Sequence, residues 1–143
     1  MVSSLSLSLS LSLGAARGLV AEAERCATVL GVHIASAVLD RGGQLIVFSR
    51  MDGTQLASSA IAQGKAYTAV AWERPSHEMF EVSQPGESGY GLQSIDARFV
   101  FSGGGVPLRG RDGELMGAIG VSGGTADQDR ECAENALAAW SSL

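Results

Sequence analysis

The residues from Gly120 to Gly124 match the G-x-S-x-G pattern that surrounds the nucleophilic serine of many hydrolases. In α/β-hydrolases the acid and the histidine of the triad follow the serine, but no histidine follows His77 here. His33 or His77 would have to reach Ser122 through the fold, as happens in triads with other chain orders. The pattern therefore favours a backbone role over a nucleophilic one.

Glycine-rich backbone at two places could face a ligand. Gly123 and Gly124 precede the final helical segment, where free amides near Thr125 would attract a carboxylate or another anion. Gly104 and Gly105 belong to a second run, which is not a phosphate loop because no Gly-Lys-Ser/Thr follows it. The alternative is that these glycines only permit close packing of neighbouring elements. The sequence leaves both interpretations open.

Arg50 and Asp52 flank Met51 at the predicted end of a strand. In an extended segment both charged side chains would lie on one face. Arg50 could then bind a carboxylate through two hydrogen bonds, and Asp52 could act as a general base or orient a water molecule. The competing interpretation is an exposed ion pair that contributes little to stability.

Lys65 lies on the same predicted helical stripe as Ile61, Thr68 and Trp72. A lysine on an apolar stripe is partly buried, and burial lowers its pKa, so it could serve as an acid, a base or an anion contact. Its aliphatic stem could instead cover apolar surface while the amino group reaches water.

His77, Glu78 and Glu81 form a loose cluster on a short predicted helix. Their spacing differs from the H-E-x-x-H pattern of zinc enzymes, so we predict a solvated helix and no metal site.

Helices are predicted over 13–30, 56–74 and the C-terminal segment. Gly31 ends the first, Pro75 ends the second, and Thr125 with Gln128 forms a capping box before the last. A short helix is predicted from Ser76, which would act as its N-cap.

Two hairpins complete the pattern. Residues 32–40 and 44–50 flank a glycine-rich turn, and 99–110 and 114–123 flank Asp112-Gly113. The order of elements predicts an α+β fold in which an antiparallel sheet of two hairpins is flanked by helices.

The 143 residues, 45% of them apolar, suit one domain over 13–143, preceded by a low-complexity Ser/Leu extension over 1–12. Ten Lys and Arg against 15 Asp and Glu give a net charge of −5, which argues against nucleic acid as a partner. We expect neither a signal peptide nor a membrane span, because serine interrupts every apolar run of the extension. Two cysteines, Cys26 and Cys132, suggest reduced thiols and a cytoplasmic protein.

Four strings together resemble the GlcG/HbpS family, which includes the C-terminal domain of PduO and is often described as haem-binding or haem-degrading. They are VLDRGGQLIVFSRMDG (38–53), AIAQGKAYTA (60–69), GGGVPLRGRDGELMGAIGVSGG (103–124) and Asp127-Gln128-Asp129. The resemblance covers about 13–141. It implies an antiparallel sheet flanked by helices, assembled into a homo-oligomer.

Two functions remain open, the first implied by the resemblance and the second by the residues themselves. The first is binding of haem or another compact anionic ligand near Arg50, Lys65, Gly104, Gly105 and the turn from Ser122 to Gly124. Haem-binding relatives use a histidine from the N-terminal helix region as an iron ligand, but residues 1–32 contain none, which leaves His33 as the nearest candidate. The second is a cofactor-independent lyase, hydratase or isomerase that acts on a small carboxylate or carbonyl substrate, with Asp52 or Lys65 moving a proton.

Overall fold

The computed structural model describes residues 11–141, which form four helices and one four-stranded sheet. The helices are α1 (Leu13–Leu30), α2 (Ala57–Trp72), α3 (Ser76–Val82) and α4 (Ala126–Ser141). The strands are β1 (Ala35–Asp40), β2 (Leu45–Arg50), β3 (Gly105–Arg109) and β4 (Leu115–Ser122), and a 3-10 turn spans Leu92–Ser94. The predicted α+β class and both hairpins are confirmed.

Both ends of α1 are capped, and Gly31 ends the helix as predicted. Ser12 Oγ accepts a hydrogen bond from the amide of Ala15 at 3.0 Å. Gly31 adopts a left-handed conformation with φ 76°, and its amide bonds the carbonyl groups of the last turn. Residues 1–10 of the predicted extension lie outside the described residues. Leu11 is buried in the core and Ser12 caps α1, so these two residues pack with the domain.

The prediction that Ser76 caps α3 is wrong. The N-cap is Pro75, and Ser76 is the first helical residue. Ser76 Oγ instead donates to the carbonyl of Ser102 at 2.5 Å and accepts from the Gly105 amide at 2.8 Å. The hydroxyl therefore joins α3 to the start of β3, and this long-range contact replaces the local cap that the sequence suggested.

All neighbouring strands of the sheet are antiparallel, in the order β2-β1-β4-β3. The two hairpins thus meet along β1 and β4, where Ala35 pairs with Ser122 and Asp40 with Gly117. This central pairing brings the first residues of β1 and β3 and the last residues of β2 and β4 to the same end of the strands. We call this end of the sheet the sheet end.

The two faces of the sheet are covered differently. Val38, Ile119 and Val121 face α1 and α4 in the larger apolar core. The opposite face carries small residues against α2, among them Ala35, Ala37 and Ala118. A Cβ atom on Gly120 would lie 2.0 Å from the carbonyl oxygen of Ala62, so α2 can approach the sheet this closely only above glycine.

Edge strand β2 is left largely uncovered on the α2 side, because α2 packs on β4, β1 and β3. Register places Leu45, Phe48 and Arg50 opposite Leu39, Ala37 and Ala35, whose side chains face α2. Leu45 is 50% exposed and Phe48 is 37% exposed. This uncovered part of the sheet is called here the β2 face.

Candidate functional site

The sheet end brings together many of the residues that the sequence singled out. Arg50, Ala35 and Ser122 stand in one row across β2, β1 and β4. His33 precedes β1 and lies close to both Gly53 and Gly123. A Cβ atom added to Gly53 would lie 3.5 Å from the His33 ring, and one added to Gly123 would lie 2.1 Å from the His33 carbonyl oxygen. The sheet end therefore brings Arg50, His33 and the Ser122 turn near one another.

Arg50 and Asp52 do not share one face of an extended segment, so that prediction is wrong. Strand β2 ends at Arg50, and the chain turns at once: the Thr54 amide donates to the Met51 carbonyl at 3.2 Å, and Gly53 has φ 85°. Both charged side chains are exposed, and no ion pair within 4.0 Å joins them among the described residues. The two charges are free to meet solvent or a ligand separately.

Lys65 is enclosed, and its partners come from distant parts of the chain. Its ammonium group donates to the carbonyl of Val121 at 3.0 Å and to the carboxylate of Asp129 at 2.9 Å. Burial lowers the pKa of Lys65, and the charge and hydrogen bond of Asp129 partly oppose this shift. The predicted lowering of the pKa is confirmed. The sequence missed Asp129 as the partner, because 64 positions separate the two residues.

The glycine amides at the start of α4 bond side chains of the protein itself. Asp129 Oδ1 accepts from the Gly124 amide at 2.8 Å, which is the place predicted for an anionic ligand. The Thr125 amide donates to Gln128 Oε1, and Thr125 Oγ1 accepts from the Gln128 amide, so the predicted capping box is confirmed. An external anion would have to displace one of these side chains.

Gly104 and Gly105 lie against α2 and the buried ion pair. A Cβ atom on Gly104 would lie 3.1 Å from Lys65 Cδ and 3.0 Å from Asp129 Cβ. One on Gly105 would lie 2.2 Å from the Lys65 carbonyl oxygen. In this structure the two glycines permit close packing, and their backbone borders the Lys65 side chain.

Ser122 is 5% exposed and faces the α2 side of the sheet. Among the described residues, its hydroxyl makes no hydrogen bond to His33 or His77. The geometry thus agrees with a backbone role for the G-x-S-x-G pattern.

A cleft of about 480 Å³ lies beside α2, between this helix, the β1–β2 turn and the segment that leads to β3. Its walls are mainly apolar and include Leu39, Leu45, Ile61 and Val100. It opens beside the β2 face. None of Arg50, Asp52, Lys65, Gly104, Gly105 and Ser122 to Gly124 lines it. Nothing local marks this cleft in the sequence, because its walls come from four separate segments.

Tyr67 and Arg98 supply the polar chemistry of the cleft. The Arg98 guanidinium lies 3.9 Å from the centre of the Tyr67 ring, and Phe99 stacks on that ring with centroids 6.0 Å apart. Arg98 also donates to both carboxylate oxygens of Asp96, at 3.0 and 2.7 Å. These hydrogen bonds lower the pKa of Asp96 to about 2. The cleft thus contains an ordered cation and a phenol.

Within residues 11–141, no three His, Cys, Asp or Glu side chains are close enough to hold a metal ion. Glu78 pairs with Arg74, and His77 Nδ1 is buried without a hydrogen-bond partner in the described part of the chain. Over the same residues, no helix combines the length and apolar character needed to cross a membrane.

Comparisons with known proteins identify relatives along nearly the whole described chain. Residues 11–138 match the family model "Haem degrading protein HbpS-like". An uncharacterized 15.0 kDa protein encoded between dhaT and dhaS of Citrobacter freundii is 40% identical over 134 residues, which cover 93% of this chain and 94% of that protein.

Two solved structures have the same fold. Klebsiella pneumoniae protein ORFY superposes with a TM-score of 0.89 at 38% identity, over 93% of this chain and 92% of ORFY. The crystal structure of a PduOC–haem complex superposes with a TM-score of 0.85 at 39% identity, over 91% and 94% of the two chains.

Proposed function

We propose that the chain, which belongs to the HbpS-like family, is a small-ligand-binding protein. Its ligand is haem, held in the cleft beside α2. The observation that carries this proposal is the PduOC–haem complex, which shares the fold over 91% of this chain. The cleft adds independent support, since its volume falls within the range typical of small-molecule sites.

The residues of the cleft fit the chemistry of haem. Leu39, Leu45 and Ile61 provide apolar walls for the macrocycle, and half-exposed Leu45 extends this apolar surface to the β2 face. The Arg98 guanidinium provides a cation for a propionate group, although Asp96 already accepts two of its hydrogen bonds. Bound haem would supply an iron centre able to bind small ligands or transfer electrons.

The iron ligand proposed here is Tyr67. Haem iron in proteins is held by His, Cys, Met or Tyr, and Tyr67 is the one residue of these types among those that line the cleft. Arg98 above the ring would stabilise a phenolate that forms on binding iron. His33 lies at the sheet end and does not line the cleft.

A homo-oligomer would cover the β2 face and narrow the open side of the cleft. Leu45 and Phe48 are exposed on the edge strand β2. Exposed apolar residues grouped in this way are typical of protein contacts. Light scattering coupled to size-exclusion chromatography would give the number of subunits, and a monomer at micromolar concentration would contradict this part of the proposal.

A haemin titration with matched variants tests the site. We expect wild type to give a saturable Soret band at one haem per chain. Ala60 is exposed, lines the cleft and belongs to the first turn of α2, so Ala60→Glu would add a negative charge to the cleft wall and would repel an anionic ligand. We expect this variant to bind about tenfold or more weakly, which corresponds to about 1.4 kcal/mol.

Ala21→Glu on the exposed side of α1 is the control and should bind as wild type. Equal binding by both variants would exclude the cleft as the site. A titration without saturation would exclude haem.

A further inference from the structure

The two cysteines of the chain come from opposite ends of the sequence, yet both contact one shared core. Helices α1 and α4 pack against each other, Cys132 is fully buried in their shared core, and half-buried Cys26 packs against that core. The thiols are close enough to interact, since contact with Cys26 contributes to the raised pKa of Cys132. The sequence suggested two reduced thiols and gave no sign that they meet. In the fold, the two thiols are close enough to interact with each other.

The surroundings distinguish the two sulfur atoms. A pocket of about 220 Å³ between α1 and α4 is lined by Cys26, Arg25 and Glu131, so a small reagent can reach Cys26 from solvent. Cys132 does not line this pocket and is fully buried. Burial first, and the interaction with Cys26 second, raise the pKa of Cys132 and keep it protonated. An oxidant therefore meets Cys26 before Cys132.

We propose that Cys26 and Cys132 form a redox-sensitive dithiol, which a peroxide converts into a disulfide that fastens α1 to α4. This proposal is independent of what the cleft beside α2 binds. Disulfide geometry requires two cysteines that are neighbours in the folded state, and here both belong to helices that pack directly on each other.

The reaction balances with hydrogen peroxide as the oxidant. The Cys26 thiolate attacks one peroxide oxygen, an S–O bond forms, the O–O bond breaks, and hydroxide leaves and is protonated to water. The sulfur of Cys132 then attacks the Cys26 sulfenic acid, an S–S bond forms and the S–O bond breaks. The leaving hydroxide takes the proton of Cys132 and becomes a second water. Two thiols thus lose two electrons and two protons, and one peroxide becomes two waters.

The test treats the intact chain with a small excess of hydrogen peroxide and measures intact mass, free thiols and thermal unfolding. We expect both thiols to disappear, the mass to fall by two hydrogens, and digestion without reductant to yield one peptide pair that joins Cys26 to Cys132. The oxidised monomer should melt about 5 °C or more above the reduced one, because the cross-link restricts the unfolded chain. Dithiothreitol should reverse every change.

Cys26→Ala is the main variant, because residue 26 is half-buried and tolerates a smaller side chain better than the buried position 132. In this variant Cys132 should stay reduced under the same treatment. The proposal would be overturned if wild-type Cys26 gained oxygen atoms while Cys132 stayed free. It would also be overturned if the disulfides formed were only between chains.

Discussion

The ammonium group of Lys65 and the carboxylate of Asp129 meet at 2.9 Å inside the protein, where each side chain is 3% exposed. The second carboxylate oxygen of Asp129 holds the Gly124 amide, and Lys65 also bonds the last part of β4 through the Val121 carbonyl. One ion pair therefore connects α2, the end of β4 and the first turn of α4. Neither charge has water as an alternative partner, so each depends on the other.

Replacing Lys65 with Met should destabilise the fold strongly. The change leaves the Asp129 carboxylate buried without its counter-charge, and removal of one partner from such pairs costs about 3–5 kcal/mol. Urea denaturation followed by circular dichroism measures the loss. The double variant Lys65→Met with Asp129→Leu should regain much of it, because no lone charge is then left.

The exposed pair of Arg130 and Glu134 on α4 is the matched comparison. Its side chains are 44% and 49% exposed, so Arg130→Gln should leave the free energy of unfolding nearly unchanged. A loss as small as this in Lys65→Met would contradict the structural role given to the buried pair.

Gly120→Ala should push α2 away from the sheet. The added Cβ atom would lie 2.0 Å from the Ala62 carbonyl oxygen and 2.5 Å from the Ala66 amide nitrogen, and both are backbone atoms. We expect a loss of about 1–3 kcal/mol or more, measured by urea denaturation. Gly18→Ala, at an exposed helical position with open space around it, should instead gain about 0.5–1 kcal/mol. Equal effects would show that the contact with α2 is not tight.

The raised pKa of Cys132 predicts that stability falls in alkaline solution. Above the ordinary thiol pKa of 9.0 the unfolded chain loses the thiol proton while the folded chain keeps it, so folding is disfavoured as pH rises. This group should cost about 1 kcal/mol between pH 9 and pH 10. The lowered pKa of Lys65 has the opposite effect on stability. As pH rises toward 10.5, the folded chain loses the Lys65 proton before the unfolded chain does, so this group makes stability rise with pH.

The contribution of Cys132 is therefore taken as the difference between wild type and Cys132→Ala, measured by denaturation in reducing buffer. If the free energy of unfolding depends on pH in the same way in both proteins, the pKa of Cys132 is not raised in the folded chain.

Tyr67→Phe should change the haem spectrum without removing the fold. Loss of the phenol oxygen should shift or weaken the Soret band, while the ring can still stack on Phe99. His33→Ala should leave the spectrum unchanged, because His33 lies outside the cleft. If the spectrum changed in His33→Ala and not in Tyr67→Phe, the iron ligand would be His33 and the haem site would lie at the sheet end.

Local patterns predicted most of the elements. Helical spacing and Gly31 gave α1 its limits, and Asp112-Gly113 marked the second hairpin, because such signals depend on residues close in sequence. The pairing of β1 with β4 could not be deduced in this way, since no local signal tells which hairpins meet. The contact between Cys26 and Cys132 could not be predicted for the same reason, since it forms only when α1 packs on α4.

The candidate site was predicted only in part. Of the two interpretations of Lys65 that the sequence left open, the buried lysine with a lowered pKa is the one in the fold. Of the two interpretations of the glycines before α4, an external anion is replaced at the Gly124 amide by Asp129. The turn at Gly53 separated Arg50 from Asp52, because the Thr54 side chain bonds backbone carbonyls there. The cleft with Tyr67 and Arg98 was missed, since it exists only after α2 has packed beside the sheet.

The strand order has a consequence for synthesis on the ribosome. Strand β1 emerges early, but its central neighbour β4 and the helix that covers their shared face belong to the last 30 residues. Until these residues leave the exit tunnel, β1 offers an unpaired edge and α1 has no helix to pack on. The nascent chain therefore completes this sheet only after β4 and α4 have emerged, and truncations that end before Leu115 should need chaperones to avoid aggregation.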